Sequence, residues 1–425
     1  MSDLAIKGGT PARTKPWPKW PVWGPSTLAA VESVFKSGRW AISSNYAEGS
    51  VLKEREFARA FADFLGCKYC VPVNSGSASL ETAMEALGIG AGDEVIIPSL
   101  TWVADAVAPL NINAIPVFAE VDPDTLCLSA AAVEAAITPR TRAVIAVHLY
   151  GSLCDLDALV ALCKKKGLHL IEDCSHVHGA RWRGKAAGTH GAVGCFSTQH
   201  TKLLASGEGG CAVTDSLAVK RGIEQLKCNG RVYIDHPQPG LLELEVVGEI
   251  MGGNYNLSEF QSAILLDSLG RLEAQNKKRE QNAKFLDDEL SGIEGFIPIT
   301  PPDAVTSRAY YYYVVRCDPK YWAGVDTEKV RAALAAELQG MAERIYVPIH
   351  KSPFYKPFTK KRFNLSDAHL AAIRRGLESN LPLSDAAYAQ CISIFHPVLL
   401  AEREDMQDVV NAFAKVSRMK KEIEG

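Results

Sequence analysis

Two side chains have the types and the setting for chemistry on a bound organic group: Asp173, closing the run "LHLIED", and Lys202, in "FSTQHTKLLASGEGG". A carboxylate at the end of a buried parallel strand needs a positive partner, because an unpaired buried charge is costly. A protonated ring nitrogen would meet that need. A lysine amine becomes a nucleophile when its surroundings lower its pKa. Lys202 has small and polar neighbours, a hydroxyl at Ser197 five residues earlier, and a glycine-rich turn after it. Those glycines let the backbone turn tightly beneath a bulky bound group.

Other candidates follow strand-like runs, where open α/β sheets bind their ligands. "NSGSAS", Asn74 to Ser79, runs from "YCVPV" into a helical pattern. Open N–H groups and the helix dipole there favour an anion, so Ser77 and Ala78 are candidate phosphate holders, with Gly76 making the turn. An ordinary capped helix is the competing reading. Trp102 follows "EVIIPSLT", placed either to stack on a flat ring or to fill a core. An acid for a pyridine nitrogen, an amine for an aldehyde and a helix start for a phosphate together describe pyridoxal 5'-phosphate. His176-x-His178 offers two metal ligands and no evident third, so no metal site is expected. His176 is placed to bond the cofactor or to orient Asp173, and His178 to pack.

These residues need a scaffold. From about residue 50, helical patterns alternate with short apolar runs: "KEREFARAFADFLG", "YCVPV", "SGSASLETAMEALGIG", "EVIIP", "AIPVFAEV", "AVIAVHL" and "LHLIED". Near-continuous apolar strands separated by helices predict a mostly parallel sheet covered on both faces, an α/β domain. The alternation stops at "LSEFQSAILLDSLGRLEAQNKKREQNAKFLDDEL", a long helix, and "AYYYYVVR" then reads as an aromatic strand. The expected organisation is an N-terminal arm over 1–24, a large α/β domain over 25–269 and a smaller α+β domain over 270–425.

The totals exclude several classes. The 425 residues exceed one compact core and suit two domains. A net charge of −3 with no basic arm argues against nucleic acid or an anionic membrane surface as partner. No apolar run reaches the length a bilayer span needs, and "MSDLAIKGGTPARTKPWPKW" lacks the apolar core of a signal peptide, so the cytoplasm is the expected location. Eleven scattered cysteines suit reduced thiols. Cys67 and Cys70 have redox-motif spacing but lead into a strand rather than a helix, which favours a structural role.

Over nearly its whole length the chain resembles the DegT/DnrJ/StrS-type aminotransferases of sugars and cyclitols, fold-type I pyridoxal-phosphate enzymes. Within them it is most similar to the glutamine-dependent scyllo-inosose and 2-deoxy-scyllo-inosose group. The likeness lies in "SGRWAIS", "YCVPVNSGSASLETAMEALGIGAGDEVIIPSLTW", "VHLYGSLCDLDAL", "FSTQHTKLLASGEGG", "GGNYNLSEFQSAILLDSL" and "YVPIHKSPFY". It implies that Lys202 bonds the cofactor's aldehyde and moves the substrate proton, and that Asp173 pairs with the ring nitrogen. Trp102 would stack on the ring, and Ser77, Ala78 and Ser197 would hold the phosphate. Asn254 would reach the phosphate of a neighbouring subunit, making a homodimer with shared sites. Trp40, within "WAISS" (Trp40 to Ser44), Tyr346 and His350 would lie near substrate.

The implied reaction turns a keto-cyclitol into an amino-cyclitol with glutamine or glutamate as donor. The alternatives are a nucleotide-linked keto-sugar as substrate, or an aromatising enzyme like the aminohydroxybenzoate synthases. Departures from the family pattern are Ser175 where alanine is usual, His176 where glutamine is common, and "QHT" with His200 before the lysine. Arg39, Arg231 and Arg308 are the open candidates for the donor's carboxylate. The acidic segment "GRVYIDHPQPGLLELEVVGEIMGG" either lines the entrance, where it would repel a diphosphate, or is an exposed insert.

Overall fold

The structure, a computed structural model, describes residues 3–43, 45–46, 51–360 and 365–424. Ser44 of "WAISS" therefore lies outside the described residues.

Seven strands build the central sheet: β1 (Tyr69–Val73), β2 (Glu94–Pro98), β3 (Ile115–Ala119), β4 (Thr141–Val147), β5 (His169–Asp173), β6 (Val193–Ser197) and β7 (Gly210–Thr214). Their order across the sheet is β1-β7-β6-β5-β4-β2-β3. The pairings among β6, β5, β4, β2 and β3 are parallel. β7 runs antiparallel to both its neighbours, a reversal that apolar runs alone do not encode. Strand residues such as Val95, Ile96, Ile97, Val144 and Ile145 are fully buried, as a sheet covered on both faces requires.

Helices α1 (Pro25–Ser37), α2 (Lys53–Leu65) and α3 (Gly76–Ala86) precede α4 (Ala104–Asn111), α5 (Ala130–Ala136), α6 (Leu156–Lys166) and α7 (Leu217–Lys227). In α2, Phe57, Phe61 and Leu65 share the buried face, and Gly66 ends the helix at φ 75. That left-handed conformation is the usual glycine helix stop. α7 delivers Lys227 into the interior, where its ammonium donates to Glu54 Oε1 (2.5 Å) and to Pro72 O (2.8 Å). Tyr233 donates to the other Glu54 oxygen at 2.5 Å. Every group of this buried pair is thereby bonded, which is what offsets its desolvation.

The 32-residue helix α8 (Glu259–Leu290) starts with a Ser258–Gln261 capping box and runs from the large sheet to a second core. There β8 (Phe296–Pro298), β9 (Tyr312–Cys317), β10 (Ala342–Arg344) and β11 (Cys391–Phe395) form an antiparallel sheet in the order β8-β9-β11-β10. The N-terminal arm packs onto this part of the chain. Leu4 and Trp17 are buried in the second core, and Arg13 reaches Asp405 and Asp408. All eleven cysteines are free thiols, and Cys70 lies against Cys211, so "CKYC" is not a disulfide.

Candidate active site

The carboxyl ends of β2, β4, β5 and β6 and the start of α3 open onto one cavity of about 420 Å³. Its walls are Ser75, Gly76 and Ser77 at the start of α3, Thr101 and Trp102 from the β2–α4 connection, Asp105 in the first turn of α4, and His148 after β4. Asp173, Ser175 and His176 follow β5, and Ser197, Gln199, Thr201 and Lys202 follow β6. Tyr311, Tyr312 and Tyr346 close it from the C-terminal part of the chain.

The turn around Lys202 is tied to its own glycines. Thr198 N–H donates to Gly209 O at 2.9 Å, and His200 N–H to Gly207 O at 2.7 Å. Gly209 adopts φ +150, and a Cβ there would meet Thr198 Oγ1 at 2.4 Å, so only glycine fits. The Lys202 amine projects over the Tyr311 ring, 4.1 Å from its centroid. Burial lowers its pKa to about 8, against the opposing pull of Asp173. An amine so placed is a competent nucleophile and proton carrier near neutral pH.

Asp173 is buried, and its Oδ1 accepts from Ser175 N–H at 2.8 Å. The unusual serine thus contributes its backbone to the aspartate. His176 accepts from Tyr150 N–H through Nδ1 (3.2 Å), which leaves Nε2 as the protonated nitrogen. Nε2 lies 3.5 Å from the Tyr346 hydroxyl. The ring rests against Tyr311, with centroids 4.1 Å apart. Burial, then the charge of Lys202, pushes its pKa well down, so the imidazole is neutral. His178 packs against Phe196, and burial drives its pKa to about 3.

At the start of α3, Ser75 Oγ accepts from Ala78 N–H at 3.0 Å. Of the expected phosphate holders, Ser77 and Ser197 line the cavity, while Ala78 N–H serves the helix cap and Ala78 does not line it. Among the described residues no hydrogen bond engages the N–H groups of Gly76 or Ser77. Ser197 lies directly against this helix start, for a Cβ on Gly76 would come 2.7 Å from Ser197 Cβ. Trp102 is half-exposed at the cavity wall, packed on Tyr346 (5.4 Å) and Phe354 (5.8 Å).

Several expected contributors lie elsewhere. His350 is buried behind the Trp102 loop, with Nδ1 2.7 Å from Ser99 Oγ, and does not reach the cavity. Of the three arginines, Arg39 pairs with Glu243, Arg231 donates to Cys228 O, and Arg308 donates to Gly151 O and Ile299 O. None lines the cavity. Backbone carbonyls and an existing carboxylate have claimed them. Trp40 sits in an exposed aromatic group with Phe35 and Phe260, and Asn254 is exposed, bonded to Asn256 Nδ2 at 2.8 Å. Neither lines this chain's own cavity. The segment after Gly230 is a hairpin of Arg231–Tyr233 and Leu244–Val246, also away from it.

Sequence reasoning missed Asp105. It is buried in the first turn of α4, and its Oδ2 accepts from Thr101 Oγ1 at 2.7 Å. An acid three residues beyond the expected ring-stacking tryptophan was the available signal. It also left Tyr311 as one aromatic in a strand, whereas its hydroxyl lies 2.7 Å from Thr201 Oγ1 and orders the lysine turn.

The residues fit pyridoxal phosphate: open N–H groups beside a serine, a deeply set carboxylate, and an amine with a lowered pKa face one cavity. A mostly parallel sheet bearing this constellation at its strand ends defines a pyridoxal-phosphate-dependent transferase of fold type I. The model of the DegT/DnrJ/EryC1/StrS aminotransferase family matches residues 25–414, and the chain belongs to that family. It is 46% identical over 419 residues to the L-glutamine:2-deoxy-scyllo-inosose aminotransferase of Streptomyces fradiae, covering 98% of each chain. It is 45% identical over 416 residues to the L-glutamine:scyllo-inosose aminotransferase of Streptomyces griseus, covering 98% of this chain and 97% of that one. The solved structure of 3-amino-5-hydroxybenzoic acid synthase superposes with a TM-score of 0.80 at 27% identity, covering 95% of this chain and 99% of that one. The protein is an aminotransferase, and pyridoxal phosphate is its cofactor.

Proposed function

We propose that the enzyme converts a keto-cyclitol of the scyllo-inosose or 2-deoxy-scyllo-inosose type into an amino-cyclitol, with glutamine as amino donor. The observation that carries this reading is full-length identity of about 45% to relatives named for that reaction. The aromatising synthase stands at 27%. The cavity supports it too. Among the described residues its only Lys or Arg is Lys202, while tyrosines, Gln199 and Thr201 offer hydroxyl and amide partners. Such walls suit a small uncharged polyol better than a nucleotide diphosphate, which needs cations.

Bound pyridoxal phosphate supplies an electron sink for negative charge at the substrate carbon. Lys202 would hold the cofactor's aldehyde and carry the proton at its Nζ. Asp173 would pair with the ring nitrogen, Trp102 would cover a ring face, and Gly76, Ser77 and Ser197 would hold the phosphate. His176 presents Nε2–H beside Tyr346, where a ring oxygen or substrate hydroxyl can accept. The chain divides near residue 270, within α8, into cofactor and smaller domains.

The donor's carboxylate calls for a cation besides Lys202, and the described residues lining this cavity offer none, which favours a second subunit at the entrance. Trp23, just before α1, and Leu28 and Phe35 on it are more than half exposed, and they line an apolar groove of about 600 Å³ with Ile264 and His200. A patch of that character beside the lysine turn suits a homodimer interface. Asn254 and Trp40 are then contributors to the partner's site. The described residues include no helix long and apolar enough to cross a membrane, and the scattered free thiols suit a reducing cytoplasm.

The test is a side-by-side assay of scyllo-inosose, 2-deoxy-scyllo-inosose and a nucleotide-linked 4-keto-hexose, with glutamine as donor. Higher kcat/KM on a cyclitol supports the proposal. A nucleotide sugar turned over well above both cyclitols refutes the substrate assignment.

A further inference from the structure

The cavity holds a second carboxyl that the reaction as described does not use. Asp105 Oδ2 is occupied by the Thr101 hydroxyl, while Oδ1 is fully buried and, among the described residues, meets no N–H or O–H group. Asp105 and Asp173 line the same cavity, with their carboxyls close enough to interact. Two carboxylates in contact repel, and a hydrogen bond between them exists only when one carries a proton. The first turn of α4 favours an anion at Asp105 through the helix dipole, as do the Thr101 hydroxyl and Lys202 beyond β6. Against these stand complete burial and the charge of Asp173. Of the other titratable neighbours, Cys195 on β6 is a thiol kept neutral by burial. His148, at the end of β4, is directed to Glu172. Burial and then Asp173 dominate and raise the Asp105 pKa well above the carboxylate range.

We propose that Asp105 is a neutral acid that donates its proton through Oδ1 to Asp173, forming a one-proton carboxyl pair on the cavity floor. Asp105 is thus a positioning residue: it fixes the rotamer of Asp173 opposite the Ser175 N–H and spreads one negative charge over two carboxyls. The pair would meet the ring nitrogen of bound cofactor with a single charge, softened by the internal hydrogen bond. Thr101 fixes the geometry by donating to Oδ2, which leaves Oδ1 as the only oxygen free to carry the proton. This inference rests on the pyridoxal-phosphate reading for its consequence, but the shared proton is a property of the protein itself.

The experiment is infrared spectroscopy of the cofactor-free protein at pH 7, comparing wild type with Asp105→Asn. Wild type should show a protonated-carboxyl stretch, shifted by deuterium exchange, that the variant lacks. Identical carboxyl regions would overturn the proposal. Titration of apoprotein with pyridoxal phosphate, followed by the bound cofactor's visible band, gives the second readout. Asp105→Leu, which cannot donate, should raise the cofactor Kd at least tenfold, and Asp105→Asn, which keeps a donor, should restore most of that loss. Equal loss in both variants would also overturn it. Failure of the cofactor to attach to Lys202 would instead refute the pyridoxal-phosphate reading and leave the infrared result standing.

Discussion

The lowered pKa of Lys202 has a direct kinetic consequence. Only the neutral amine attacks an aldehyde, so the rate at which apoprotein captures pyridoxal phosphate should follow the neutral fraction. With a pKa of about 8 instead of the ordinary 10.5, that fraction at pH 7 is larger by roughly 300-fold. Stopped-flow mixing of apoprotein with cofactor from pH 6 to pH 10, followed by visible absorbance, measures the rate. It should rise tenfold per pH unit at low pH and level off just above pH 8. Nα-acetyl-lysine, the control for the cofactor's own ionisation, should keep rising to about pH 10. Asp173 favours the ammonium form, so Asp173→Asn should move the break to lower pH. A rate that still climbs tenfold per unit at pH 10, or a break that moves upward in the variant, refutes the reasoning.

Gly76→Ala would set a methyl 2.7 Å from Ser197 Cβ, forcing the helix start and the serine apart. Cofactor Kd should rise at least tenfold, about 1.4 kcal/mol, while Gly270→Ala, with nothing within 4 Å, should leave it unchanged; equal affinities for the two would contradict the phosphate assignment. Lys227→Met leaves Glu54 without its buried partner and should cost about 3–5 kcal/mol in urea unfolding, and a loss below about 1 kcal/mol would show that the pair contributes little. Mixing inactive Lys202→Ala with an inactive Asn254→Ala protein should restore activity, since a mixed dimer rebuilds one complete site. No recovery, or a fully active monomer in sedimentation, rules out shared sites.

The fold and the chemical centre were legible for a physical reason. Strand ends put Asp173, Trp102 and Ser197–Lys202 on one rim whatever the loop details, so linear order already implied convergence. Direction and pairing were not legible. An apolar run such as "GCAVT" reads alike in either orientation, so the reversal of β7 was invisible. Arg39, Arg231 and Arg308 looked available because a sequence does not show which carbonyls and carboxylates engage them. The N–H of Ala78 was lost to its own helix cap, a competition settled by the Ser75 rotamer. Asp105 escaped notice because its meaning comes from Asp173, 68 residues later in the chain (173 against 105), and not from its own neighbours.

The central assignment is that Lys202 carries the cofactor. Borohydride reduction of the yellow holoenzyme, followed by proteolysis and mass spectrometry, tests it most directly. The reduced cofactor should be found on Lys202 alone, and Lys202→Ala should yield no adduct. An adduct on another lysine, or a purified wild-type protein that binds no pyridoxal phosphate, would contradict it.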